Sequence, residues 1–164
     1  MQRIKIPLRL ISLNDDGFHL LVEIVVYGQK SWAVLDTGAS RSVFNKSFIQ
    51  QYSLDYATAE TGATTLFSTT DTVQTVFPKF KIGKLKIRNY PAVGLDLDSV
   101  NEAYQQMGHP AIVGIVGCDI LQTYKAIINC GKLFLTCKPG IENKVKKKSE
   151  KKSRNQATKK NKKK

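Results

Sequence analysis

The chain has 164 residues, 41% of them hydrophobic, with 26 Lys and Arg against 13 Asp and Glu for a formal net charge of +13; that is enough chain for one domain with a real core. Residues 142–164 hold 12 basic and 2 acidic side chains, and the rest of the chain holds 14 and 11, so the high pI belongs to the tail and the body is nearly balanced. No apolar stretch approaches the roughly 20 residues of a membrane span, and three cysteines without a CxxC pair argue against metal ligation or a disulfide framework.

The N-terminal "RIKIPLRLI" alternates basic and apolar residues, as a half-exposed strand does. Its charges recur too often for a secretory signal, and reduced thiols are expected, so the reading is a cytoplasmic protein. "DDG" at 15–17 is a turn signal; "FHLLVEIVVYG" and "SWAVLD" then lie on either side of a "GQK" turn and read as a hairpin. "NKSFIQQY" predicts a short helix capped by Asn45. Residues 57–75 contain eight Thr with Gly62 near the start, a composition that favours extended chain and suggests a polar hairpin leaning over something. "KFKIGKLKI" gives two alternating strands hinged at Gly83, and "YPAVGLDL" another. "SVNEAYQQMG" is compatible with a helix or a loop turn. "PAIVGIVGCDILQTY" reads as a strand, a Gly turn and a short helix, and "KAIINCGKLFLTC" as a closing hairpin turning near Gly131. Many short strands with little helix predict an all-β, barrel-like domain over residues 1–140.

The tail, 141–164, is expected to be disordered, because Ile141, Val145 and Ala157 are all the apolar surface it has to offset ordering entropy. Such lysine runs bind nucleic acid or anionic surfaces non-specifically. No aromatic residues are interleaved, so base stacking is not indicated.

The stretch with chemistry in it is "AVLDTGASRSVF", residues 33–44. An apolar strand climbs to Asp36 and the chain turns at once through Thr37, Gly38, Ala39 and Ser40. An Asp-Gly-type turn would account for the tripeptide alone. However, "WAVL" places the carboxylate at the end of a buried strand, small residues follow it, and a second apolar-Gly segment, "AIVGIVGCDIL", lies about 80 residues downstream.

On these two segments the chain resembles the retropepsin-like aspartic proteases, in which a hydrophobic strand ends in Asp-Thr-Gly-Ala/Ser and a later one in Gly-x-Asp/Asn plus two apolar residues. Here the motifs are Asp36, Thr37, Gly38 and Ala39, then Gly117, Cys118, Asp119, Ile120 and Leu121. "AETGATTLF" at 59–67 is the candidate for the family's glycine-bearing flap. The resemblance covers roughly residues 3–138. It implies a closed β-barrel with one or two short helices and an endopeptidase acting on extended peptides without metal or organic cofactor.

The family's chemistry needs two carboxylates sharing a proton, one activating water while the other donates to the substrate carbonyl. The chain holds no second Asp-Thr-Gly loop, so the resemblance implies a two-fold homodimer with Asp36 from each copy. It further implies that the Thr37 hydroxyl bonds across the axis and that Gly38 permits the sharp turn. Ser40 completes the loop, Gly117 and Asp119 brace it from beneath, Ile120 and Leu121 face the core, and Gly62 serves a closing flap tip. Ala39 lacks the hydroxyl that pepsin-type sites aim at the ionised pair, which predicts activity nearer neutral pH. The ion pair of retroviral members is replaced at both places, by Ser40 and Cys118, so no lone buried charge remains. His19 and His109 lack a nucleophile pattern and read as structural or surface residues. Cys118 reads as a small buried thiol. The alternative function is a catalytically idle peptide-binding or dimerisation module of the same fold, tethered to nucleic acid by its tail.

Overall fold

The structure is a computed structural model that describes residues 2–64 and 69–139, with side chains outside 58–71. The lysine-rich tail expected over 141–164 lies outside the described residues. The elements run β1 (Ile4–Ser12), β2 (Phe18–Val26), β3 (Gln29–Leu35), β4 (Val43–Asn45), α1 (Lys46–Tyr52), β5 (Tyr56–Thr64), β6 (Thr69–Ile82) and β7 (Leu85–Leu95), then α2 (Asp98–Gln106), β8 (Ile112–Val116), α3 (Cys118–Thr123), β9 (Ile127–Asn129) and β10 (Phe134–Cys137). A 3-10 turn occupies Asn14–Asp16.

Strands β2, β6, β7, β4, β8 and β3 form a closed six-strand ring, because β2 pairs with both β3 and β6. Closure leaves these strands no open edge. The β5–β6 hairpin projects from the ring, and β1, β10 and β9 extend the sheet on its other side. The basic–apolar alternation of β1 holds only in part. Ile6 and Leu8 point into the barrel core, whereas Ile11 joins a second cluster with Leu21, Val34, Leu97 and Tyr104 beneath α2. The change of face falls where β1 passes from pairing with β10 to pairing with β2.

The hairpin expected to turn at "GQK" turns one residue earlier, at Tyr27 and Gly28, both at positive φ. A two-residue primed turn requires that geometry at both positions, and it matches the twist of the flanking strands. The Gly83 hinge lies where expected, with φ at +52. β7 joins the two strands expected at "KLKI" and "YPAVGL" into one, with Asn89 at a positive φ of 49 within it.

The described residues contain three short α-helices rather than one or two. Asn45 caps α1 as expected, its side chain accepting from the Ser47 N–H at 3.1 Å. The segment left open between helix and loop is α2. Asn101 on it exchanges a reciprocal pair of hydrogen bonds with the backbone of Ile112, at 3.0 and 2.8 Å, which pins the helix to β8. That contact is invisible to local periodicity. Among the described residues no helix is long and apolar enough to cross a membrane.

Phe44, Phe77 and Phe80 are fully buried and meet edge to face, with Phe44 and Phe77 ring centroids 4.7 Å apart. Tyr90 adds its ring at 5.3 Å from Phe80. A tyrosine placed this way buries its aromatic body and needs a partner for its hydroxyl.

Candidate active site

β3 and β8 run parallel through the barrel, with Leu35 beside Val116. Because both strands end here, the two loops predicted from sequence leave the sheet side by side. The Asp36 N–H still donates to the Val116 carbonyl at 3.0 Å, which holds the carboxylate at the strand end. Asp36 is half-buried, and its Oδ1 accepts from the Gly38 N–H at 2.7 Å. That Asx-type bond closes the turn and fixes the carboxylate's orientation. Thr37, Gly38 and Ser40 are exposed and Ala39 is half-buried.

The downstream segment meets this loop through main-chain contact. The Cys118 N–H donates to the Ala39 carbonyl at 2.8 Å, and the Cys118 thiol donates to the Thr37 carbonyl at 3.1 Å. Cys118 is half-buried, so it acts as a donor to the loop rather than as the buried apolar filler expected. A Cβ on Gly117 would lie 2.8 Å from both the Ala39 oxygen and the Arg41 carbonyl carbon, which are backbone atoms. Glycine is therefore what lets the two loops pack this closely.

Asp119 is the hub beneath the loop. Its Oδ1 accepts from the Ser42 N–H at 2.8 Å and the Ser42 hydroxyl at 2.7 Å, and its Oδ2 accepts from the Tyr90 hydroxyl at 2.5 Å. Ser42, fully buried, in turn accepts from the Gly117 N–H at 2.8 Å. The network thus ties the entry to β4, β7 and α3 together under Asp36. Burial, then the hydrogen bond to the Asp119 carboxylate, hold the Tyr90 hydroxyl well above the ordinary tyrosine range. Ile120 and Leu121 are buried in the main core.

Gly62 lies within β5, in the register irregularity between Ala59 and Ala63. The turn of that hairpin, 65–68, lies outside the described residues. At the base of the hairpin, a cleft of about 630 Å³ runs between Arg41, Pro91 and the strand residues Tyr56, Ala57 and Gln74. It opens beside the loop that carries Asp36 and is not lined by Asp36 itself. Arg41 reaches across to donate to the Pro91 carbonyl at 3.2 Å.

Both histidines are engaged elsewhere. His19 Nδ1 pairs with the Tyr104 hydroxyl and His109 Nε2 donates to the Ser12 carbonyl, each at 2.5 Å. Among the described residues no three His, Cys, Asp or Glu side chains converge on a metal-sized site. Ser42, Tyr90 and Arg41 were not singled out from sequence. Ser42 and Tyr90 are 77 and 29 positions from Asp119, and the one local signal was a small polar residue entering the apolar run "SVF".

A family model described as aspartyl protease matches residues 22–120, more than half of the chain. Among solved structures the chain is similar to a retropepsin-like aspartic protease from Rickettsia conorii, at 22% identity and TM-score 0.51 over 83% of this chain and 88% of that one. It is also similar to the retroviral protease-like domain of Ddi1 from Leishmania major, at 16% identity and TM-score 0.53 over 73% of this chain and 87% of that one. At these identities the likeness is one of fold. No curated protein matches the chain in sequence. The matched span runs from β2 into α3 and takes in Asp36, the projecting hairpin, Tyr90 and the Gly117–Asp119 brace, and the chain belongs to the aspartyl protease family.

Proposed function

We propose that this chain is an aspartic endopeptidase that hydrolyses extended peptides as a homodimer, each copy supplying Asp36 as half of the catalytic pair. The observation that carries the reading is a single strand-end carboxylate, half-buried and oriented by the Gly38 N–H, on a loop braced from below by Gly117 and Asp119. Two such carboxylates a few Å apart cannot both ionise at low cost, so one keeps a proton. The ionised one takes a proton from water as it attacks the scissile carbonyl, and the protonated one donates to the carbonyl oxygen. Exposure of Thr37 and Gly38 leaves the loop open to a second copy. Gly62 and the β5–β6 hairpin cover the peptide and exclude water. The folded unit spans 1–140, and the lysine-rich 141–164 makes non-specific contact with polyanions. Three free cysteines suit a reducing, cytoplasmic setting.

The test pairs cleavage with oligomeric state. The protein is incubated with an unstructured protein, with and without pepstatin, beside Asp36→Asn, and sedimented at micromolar concentration. Cleavage that pepstatin blocks, and that falls by about a thousandfold in the variant, is the expected result. Cleavage surviving Asp36→Asn overturns the assignment, and so does a chain that cleaves while strictly monomeric. A dimer that cleaves nothing at any pH points instead to an idle peptide-binding module.

A further inference from the structure

The proposed chemistry leaves unused a dense row of cations on the folded body. On the hairpin of β6 and β7, Phe80, Ile82, Leu85 and Ile87 point inward and are at most 1% exposed. The alternate positions point outward and are basic: Lys79 lies directly across from Arg88, and Lys81 from Lys86. Lys84 occupies the turn, and Lys30 follows across β2, where Val25 pairs with both Lys81 and Lys30. Like charges directly opposite on neighbouring strands are destabilising, yet this hairpin holds two such pairs in succession. Among the described residues the one ion pair is Lys30 with Glu23, at 2.7 Å, and it leaves the β6–β7 cations uncompensated. The face runs on into a cleft of about 360 Å³ with Lys5, Arg9 and Lys84 on its walls beside the single carboxylate of Glu23.

We propose that this outer face of the β2–β6–β7 wall docks the sugar–phosphate backbone of duplex nucleic acid. The chain's own lysine tail has the same sign and cannot cover the face, and neither can the same face of a second copy. A membrane-docking face needs several apolar anchors among its cations; here the exposed Val76 lies on β6 three residues before Lys79, Phe18 lies at the far end of β2 from Val25, and Leu54 and Ile127 lie off the wall. Single strands are held by aromatic platforms. Here the nearby rings of Trp32 and Phe134 already carry the Arg9 guanidinium and the Lys5 ammonium, 5.6 and 4.1 Å from their centroids. What remains is a rigid grid of cations, about 7 Å apart along each strand and about 5 Å between strands. It faces a polymer that presents one negative charge per roughly 1.7 Å of axis. Lys30 begins β3 and Asp36 follows its end, about 20 Å of extended chain apart, which sets this end of the face away from the carboxylate.

The experiment titrates full-length protein into a fluorescein-labelled DNA duplex at several salt concentrations. Beside it runs a full-length variant carrying Lys79→Thr, Lys81→Thr, Lys86→Thr and Arg88→Thr. Both proteins keep the tail, so its contribution cancels. The expected result is binding weakened at least about tenfold, a log–log salt slope shallower by about 3, and a melting temperature that does not fall. If the fourfold variant misfolds, Lys81→Gln with Lys86→Gln gives the same readout at about half the slope change. Unchanged affinity and slope in a folded variant would assign all binding to the tail and overturn the proposal. It is equally overturned if the substitutions weaken binding to phosphatidylserine vesicles but not to the duplex, or if a single strand binds more tightly and Trp32→Ala abolishes that binding.

Discussion

Removing the Asp119 side chain tests whether the brace under Asp36 is a stabilising network or incidental contact. Asp119→Ala deletes an acceptor of three hydrogen bonds, two from Ser42 and one from Tyr90. The Tyr90 hydroxyl is partly buried and can turn toward water, but Ser42 is 0% exposed and its N–H is left without a partner. Orphaning a buried amide costs about 1–3 kcal/mol, and bonds to a charged acceptor contribute about 1.5–3 kcal/mol each without adding fully, so a loss of about 3–4 kcal/mol follows. Asp119→Asn separates charge from connectivity. Its carbonyl oxygen still accepts both Ser42 bonds, and its amide can donate to the Tyr90 oxygen, so the loss is about 1 kcal/mol. With an m-value of about 2 kcal/mol/M, urea midpoints fall by about 1.5–2 M for Ala and about 0.5 M for Asn. Peptide cleavage should follow the same order. An Ala variant within about 0.5 M of wild type, or an Asn variant as unstable as Ala, would refute the reasoning.

Gly117→Ala should separate the two loops, since its Cβ meets backbone at 2.8 Å on the Asp36 loop; expected are a loss of about 1–3 kcal/mol in urea titration and cleavage reduced by much more than that stability loss implies. On the alkaline side, burial raises the Cys137 thiol from 9.0 to about 11, and burial with the Asp119 bond raises Tyr90 from 10.0. A group whose folded pKa is raised contributes stability below its unfolded pKa and loses it as pH climbs toward the folded value. Unfolding free energy should therefore decline from about pH 9 upward, and Tyr90→Phe should make the decline above about pH 10 shallower while lowering stability at neutral pH by about 1.5–3 kcal/mol.

Much of this was legible because strand alternation and turn chemistry are local. The Gly83 hinge, the Asn45 cap and the Asp-Thr-Gly turn each announce themselves within a few residues. The brace did not. Ser42 and Tyr90 look like an ordinary strand-entry serine and strand tyrosine, and only the pairing of β4 with both β7 and β8 gives them a common partner. The face change in β1 was hidden for a related reason, since the strand serves two sheet neighbours and one periodicity cannot describe both. The α2 helix needed Asn101 to find the Ile112 backbone. The charge was visible as a total, but it was credited to the tail, because the alternation "KFKIGKLKIR" becomes a continuous cationic wall only once its hairpin register is known.

The parallel seam between β3 and β8 has a consequence for how the protein is made. Strands 80 residues apart must find each other before Asp36 is seated, and the clasp on its loop comes from Gly117 and Cys118. A nascent chain leaves the ribosome N-terminal end first, so the acid emerges long before its clasp. During translation the newborn polypeptide therefore carries an unassembled, inert centre. The seam thus makes the seating of Asp36 wait until residues 117–118 have been synthesised.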